Sequence, residues 1–244
     1  MVSNSKLYCI NDNILSNEFP DVSHALTEPD GLLAIGGNLN PDRLLNAYKK
    51  GIFPWYGEGQ PVMWWSPDPR CVLLPDNLKI SRSLKKSLGK ESYEVTFDQA
   101  FSDVVKSCAE PRLKGSGTWI TSAIIRNYQF LHESGHAHSV ECWYQGSLVG
   151  GLYGIAIGRI FFGESMFSRK ADASKICFVH LITFLKKRHY ELIDCQVYSE
   201  HLERLGARLI PRDEFSRILD RYCGSKTELL RSTHPWPKTI DYKI

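Results

Sequence analysis

Three polar side chains in apolar surroundings are placed to do chemistry. Glu164 stands at the end of the run LVGGLYGIAIGRIFFG, where a carboxylate costs free energy unless a partner or a task offsets it. Asp194 and Gln196 stand two apart in LIDCQVY; in an extended segment such a pair shares one face and Cys195 takes the other. A carboxylate beside an amide can orient a nucleophile, accept its proton, or receive a cationic or N–H group. The competing readings are a cap on nearby backbone amides for Glu164 and a satisfied structural carboxylate for Asp194. Cys195 could be a nucleophile, but face alternation sends it into the core.

Other constellations carry less. RLKGSG (112–117) matches the R-x-x-G-x-G loop that cradles a coenzyme A pyrophosphate. Such a loop leaves a strand and opens a helix, whereas this one follows a helix and Pro111 and leads into TWIT, so it reads as a surface loop, basic by chance or, through Lys114, for nucleic acid. His132, His136 and His138 lack a neighbouring carboxylate or cysteine to complete a ligand set, and the seven cysteines are scattered and never spaced C-x-x-C. No metal site, disulfide framework or cofactor is expected.

The elements that must position these residues follow from periodicity. NPDRLLNAYKKG reads as a helix capped by Asn40, started by Pro41, faced by Leu44, Leu45 and Tyr48 and closed by Gly51. IFPWYGEGQPVMWWSPDPR reads as an ordered loop with a strand near Val62 to Trp65. ISRSLKKSL places Ile80, Leu84 and Leu88 on one helical face and Arg82, Lys85 and Lys86 outward. AFSDVVKSCAE and SAIIRNYQFLHESG read as helices. From His138 the period shortens: SVECWY, LVGGLYGIAI and RIFFGES form an antiparallel meander with turns at Gly146-Ser147 and Gly158-Arg159. A helix from about Ala173 to His189 follows, then a strand ELIDCQVY, a helix around HLERLG, a strand RLIPR and a helix DEFSRILDRY. The fold class is α+β, α/β-like in its second part: a small N-terminal α+β domain, residues 1–68, and a domain of residues 69–244 with a mixed, mainly antiparallel sheet. Three meandering strands followed by helix and strand resemble the GNAT-like acyltransferase core. Glu164 and the Asp194/Gln196 pair then converge at one end of neighbouring strands, where open α/β sheets bind ligands.

Composition bounds the partners. At 244 residues and a net charge of +3, no general nucleic-acid affinity is announced, and any such binding rests on local basic clusters. No apolar run approaches a membrane span, and the N-terminus shows no signal-peptide pattern. A cytoplasmic monomer is expected, with no membrane partner.

The runs EPDGLLAIGGNL, YKKGIFPWY, WWSPDPR, TWIT, LHESGHAHSVE, GGLYG, FFGESMFS, DASK, IDCQV and HLERLGAR, in this order, closely resemble the leucyl/phenylalanyl-tRNA–protein transferases over nearly the whole chain. The resemblance implies transfer of Leu or Phe, and less well Met, from aminoacyl-tRNA to proteins beginning with Lys or Arg, in N-end rule degradation. It implies Trp55 and Trp119 around the 3′-terminal adenosine, and Glu164, Asp194 and Gln196 at the reacting centre with Tyr48 and Tyr128 near it, Asp194 orienting the amine and receiving its proton directly or through Gln196. The remaining expected substrate contacts are Gly163, Ser199 and an apolar pocket of Leu152, Phe161, Phe162, Met166 and Phe167; Arg82, Lys85, Lys86 and Lys114 are expected on the tRNA. Two positions depart from the family pattern: Asp172, where an asparagine can precede Ala-Ser-Lys, and Ser199, where an asparagine can follow IDCQV.

Overall fold

The computed structural model describes residues 7–11, 17–89, 92–111, 118–224 and 236–239; Lys114 and the rest of RLKGSG lie outside them. A four-stranded sheet is built from β1 (Tyr8–Ile10), β2 (Leu32–Gly36), β3 (Phe53–Pro54) and β4 (Met63–Trp65), in the order β1-β2-β4-β3. Between β2 and β3 lies helix α1 (Pro41–Lys49). Every later strand joins a second sheet of seven: β5 (Arg70–Leu73), β6 (Tyr93–Phe97), β7 (Ala137–Tyr144), β8 (Ser147–Ile157), β9 (Ile160–Ser168), β10 (Leu192–Gln196) and β11 (Arg208–Ile210), ordered β11-β5-β10-β9-β8-β7-β6. The sheet is antiparallel except for the β9–β10 pair. Its helices are α2 (Arg82–Leu88), α3 (Phe101–Ala109), α4 (Ser122–Glu133), α5 (Ala173–Lys187), α6 (Glu200–Arg204) and α7 (Arg212–Tyr222).

Both faces of the large sheet are covered, each by its own core. On one face, Tyr153, Ile155 and Phe162 pack with side chains of α1, α3, α4 and α7 and with Leu33, Ala34 and Trp64 of the small sheet. On the other, Leu152, Ala156 and Phe161 pack under α5 and Leu84 of α2. This is why β8 is buried almost end to end although its flanks are turns. The meander and its two expected turns are present, Gly146 and Gly158 both at positive φ.

Local chemistry sets the helix ends. The Asn40 side chain accepts from Arg43 N, and Pro41 opens α1. The inward face is Arg43, Leu44, Ala47 and Tyr48, with Leu45 only half-buried. Asn40→Ala is expected to cost about 1 kcal/mol, read as a lower denaturant midpoint at unchanged m value. Helix α2 starts later than the apolar spacing suggests, at Arg82, because the Ser81 side chain caps Leu84 N and leaves Ile80 outside. Helix α5 stops at Lys187, short of His189, which turns left-handed at φ 57.

Candidate active site

Two neighbouring strands part company at one level of the sheet. β9 and β10 pair in parallel from Leu192↔Ile160 to Asp194↔Phe162 and no further. Beyond that level β9 stays with β8 and β10 with β5, and each carries an irregularity. On β9, Gly154 pairs with Gly163 and Tyr153 with Ser165, so Glu164 is the extra residue. On β10, Asp194 pairs with Val72 and Gln196 with Cys71, so Cys195 is the extra residue, and Gln196 adopts φ 61. Bulges re-aim side chains, and these two bring Glu164 and Gln196 together: Gln196 Nε2 donates to Glu164 Oε1 at 3.0 Å. Gly154 lets β8 and β9 stay in contact at the bulge, since a Cβ there would stand 2.2 Å from Phe162 O.

A cavity of about 390 Å³ opens where the strands separate, a size suited to a small-molecule group. Glu164, Ser165, Cys195, Gln196 and Val197 form one side; Phe53, Pro54 and Trp55 come from β3 and the residue after it; Cys108, Glu110, Thr118 and Trp119 come from the α3–α4 region. Trp55 is 46% exposed and Trp119 half-buried, so two indoles stand in the wall of one cavity.

Glu164 is held from three other elements. Tyr48 Oη of α1 lies 2.7 Å from its Oε1, Tyr128 Oη of α4 lies 2.9 Å from its Oε2, and the two tyrosine hydroxyls touch each other. Burial, opposed by these hydrogen bonds, leaves its carboxyl pushed up to about 7. Burial and the Glu164 charge raise both phenols well above their ordinary value, so both stay protonated. Tyr48 and Tyr128 are fully buried and bound to Glu164, beside the residues expected at the reacting centre.

Asp194 shares that face of the sheet without lining the cavity. Its carboxylate is fully buried and bidentate to Arg70 of β5, at 2.8 Å from Nε and 2.7 Å from Nη2. Arg70 in turn donates to Gly51 O and lies between the rings of Phe53 and Phe215. Asp194 Oδ1 also accepts from Gln196 N at 2.9 Å, so the carboxylate fixes the backbone that carries Gln196. Arg70 was not evident in WWSPDPR; the signal for it is the need of any buried carboxylate for a cationic partner.

The remaining expectations are distributed. Leu152 and Phe161 lie in the core under α5, and Met166 packs against that core. Phe162 packs on Tyr48, and Phe167 joins the opposite core. Gly163 faces Asp194 O. Ser199 caps α6 by accepting from Leu202 N. Arg82, Lys85 and Lys86 are exposed on α2, across the sheet from Tyr48 and Tyr128. Cys195 is half-buried against the α5-side core but also reaches the cavity wall, because the bulge breaks the alternation that sends it wholly into the core. Its neighbour Cys71 and burial push its thiol well above the ordinary value, which suppresses the thiolate a nucleophile needs. His132 bonds Ala137 O and His138 pairs with Asp98; among the described residues no set of His, Cys, Asp and Glu side chains gathers as metal ligands do.

Comparison with known proteins identifies the family of the chain. A model described as leucyl/phenylalanyl-tRNA protein transferase matches residues 72–220, and one for that family's N-terminal domain matches residues 37–68. Proteins named leucyl/phenylalanyl-tRNA–protein transferase are similar: one from Nitrosospira multiformis is 58% identical over 82% of this chain and 87% of its own. One from Aromatoleum aromaticum is 59% identical over 81% and 84%, and one from Nitrosomonas eutropha is 53% identical over 90% and 95%. A solved GCN5-related N-acetyltransferase from Kribbella flavida overlaps with a TM-score of 0.36 at 10% identity, over 73% of this chain and 63% of that one, too little to bear on activity. With more than half of its length matched by one family model and relatives above half identical across four-fifths of it, the chain belongs to the leucyl/phenylalanyl-tRNA–protein transferase family, enzymes whose name makes an aminoacyl-tRNA and a protein the two substrates.

Proposed function

We propose that this transferase moves Leu or Phe, and less well Met, from aminoacyl-tRNA to the α-amine of proteins that begin with Lys or Arg, acting as a cytoplasmic monomer in N-end rule degradation. The observation that carries the reading is the cavity itself, whose wall holds Trp55 and Trp119 together with Gln196 and Glu164. The indoles receive the 3′-terminal adenosine. The donor side chain enters past Gly163, toward Leu152, Phe161 and Met166, whose core meets the cavity at Cys195; Phe162 and Phe167 back the strand from the other face. No helix among the described residues is long and apolar enough to cross a membrane.

An aminoacyl ester is already activated, and an α-amine with a pKa of about 8 is partly neutral near pH 7. The amine nitrogen attacks the ester carbonyl, the bond to the ribose 3′ oxygen breaks, and the proton lost by the amine ends on that oxygen. Holding amine and ester in line supplies about 7–11 kcal/mol of the barrier reduction. Gln196 donates through Nε2 to Glu164 and keeps Oε1 to accept an N–H of the attacking amine. Asp194, spent on Arg70 and on Gln196 N, acts as the group that fixes this geometry.

Incubation with labelled leucyl-tRNA and a peptide beginning with arginine, beside a tube supplied with acetyl-coenzyme A, tests the reading. Label passing from the tRNA to the peptide supports it; acetyl transfer alone points to a coenzyme A-dependent acyltransferase, and RNA binding without transfer to a non-enzymatic module. The basic residues of α2 are proposed to meet the tRNA backbone. Lys85→Ala with Lys86→Ala is then expected to weaken leucyl- and phenylalanyl-tRNA by similar factors and to flatten the salt dependence of binding. A loss confined to one of the two tRNAs, in filter-binding titrations across salt, refutes it.

A further inference from the structure

The contacts around Glu164 can be counted in protons. Tyr48, Tyr128 and the Glu164 carboxyl form a closed ring of three contacts: Tyr48 to Oε1, Tyr128 to Oε2, and Tyr48 to Tyr128. Two phenols supply two protons. With Glu164 ionised, one of the three contacts would set two oxygen lone pairs face to face in a buried site. With one more proton on Oε2 the ring closes: Glu164 donates to Tyr128, Tyr128 to Tyr48, and Tyr48 to Oε1. Oε1 is then a carbonyl oxygen, and it takes Tyr48 and Gln196 Nε2 as its two donors.

We propose that the free enzyme keeps Glu164 as a neutral carboxylic acid, the third proton of a closed ring with Tyr48 and Tyr128, and that this ring positions Gln196 for the incoming amine. Glu164 is on this account a positioning residue and neither a base nor a counter-ion. The ring also ties α1, which belongs with the small sheet, to α4 and to the bulge of β9 at one point. Loss of the proton sets the Tyr48 and Tyr128 oxygens against each other, so the phenols part and the Glu164 carboxylate shifts from its place with Gln196 still bound to it.

The surroundings favour the neutral form. Tyr153 of β8, Asp194 of β10 and the two ring phenols face Glu164. Among the described residues the cation nearby, Arg70 of β5, is taken up by both oxygens of Asp194. Cys108 and Glu110 at the end of α3 and Cys195 lie in the same cavity wall, and Glu110 is paired with Arg169. None of these groups offers Glu164 a free positive charge, and its carboxyl sits at about 7.

Infrared difference spectra of the free enzyme, labelled with ¹³C-glutamate, test the proton directly. A protonated-carboxyl C=O band is expected at about pH 6 and lost by about pH 8, on either side of the value near 7. Glu141, also buried and raised, is the other source of such a band, so the assignment requires that the band vanish in Glu164→Gln. The kinetic arm rests on the proposed transfer reaction; the spectroscopic arm does not. In Tyr128→Phe the ring cannot close at any pH, while the acceptor amine titrates as before and cancels in a rate ratio. The native enzyme's advantage over Tyr128→Phe is expected to shrink severalfold, up to about thirtyfold, between about pH 6 and about pH 8.5; Tyr48→Phe serves if Tyr128→Phe does not fold. Absence of the Glu164 band at the low end, or a rate ratio flat in pH, overturns the proposal.

Discussion

Asp194→Ala is expected to destabilise the protein by about 3–5 kcal/mol. The carboxylate is the partner of a fully buried guanidinium, bidentate at 2.8 and 2.7 Å. Its removal strands the Arg70 charge between Phe53 and Phe215 with Gly51 O as its remaining acceptor among the described residues. Chemical denaturation should show a lower midpoint at unchanged slope. The double change Arg70→Met with Asp194→Leu removes both charges, and such replacements of a buried pair often recover the lost stability. Transfer should not recover with it. Gln196 sits at φ 61 with its N–H on Asp194 Oδ1, and without that acceptor the amide drifts; a misplacement of about 1 Å at a reacting centre can cost about 100-fold. If the double variant regained full transfer along with its stability, Asp194 would be a packing group and nothing more.

Trp55→Ala and Trp119→Ala should each raise the KM for aminoacyl-tRNA by about 5- to 150-fold, since stacking of one base on an aromatic ring is worth about 1–3 kcal/mol. The two changes should differ in their structural cost. Trp55 is 46% exposed; alanine keeps the hydrogen bond from Trp65 Nε1 to its backbone carbonyl and loses the edge-on contact of its ring with Trp65. Trp119 is half-buried and packs against the core beneath α3 and α4, so its loss should also lower the melting temperature. Saturating kcat should change less than KM, because the interaction is present in the ground state as well as the transition state. Phenylalanine at either position, which keeps a flat ring, should restore most of the affinity. An unchanged KM in folded Trp55→Ala would remove the stacking role.

Periodicity and turn chemistry made the helices, the meander, β4, β10 and β11 legible, because they are local, whereas β1, β2, β3, β5 and β6, two to five residues long, are too short to show a period. Asn40-Pro41 announces α1, Gly146 and Gly158 announce the meander turns, and Ile176, Val179 and Leu185 mark α5. The polar residues in apolar runs, Glu164 and Asp194, were legible as anomalies for the same reason: burial of a carboxylate needs a partner whatever the fold. Trp55, Trp119 and the basic residues of α2 could be read for their chemistry but not for their place. Leu152 and Phe162 show the limit, since residues of equal hydrophobicity on adjoining strands went to opposite cores.

By itself, then, the sequence determined the helices, the meander, β4, β10 and β11, which residues are too polar for their surroundings, and through its motifs the family; β1, β2, β3, β5 and β6 it left unread. Tertiary structure alone decided how those residues are spent. Asp194 is committed to Arg70 across 124 positions of chain, and Glu164 to Tyr48 across 116, and no local pattern encodes a partner at that distance. The two bulges were equally out of reach: a bulge is a property of a pair of strands, set by the register each keeps with its other neighbour, β8 for β9 and β5 for β10. Alternation along LIDCQVY describes a strand in isolation. The pairing of β10 with two neighbours of different direction is what turned Gln196 toward Glu164 and left Cys195 partly in the cavity wall.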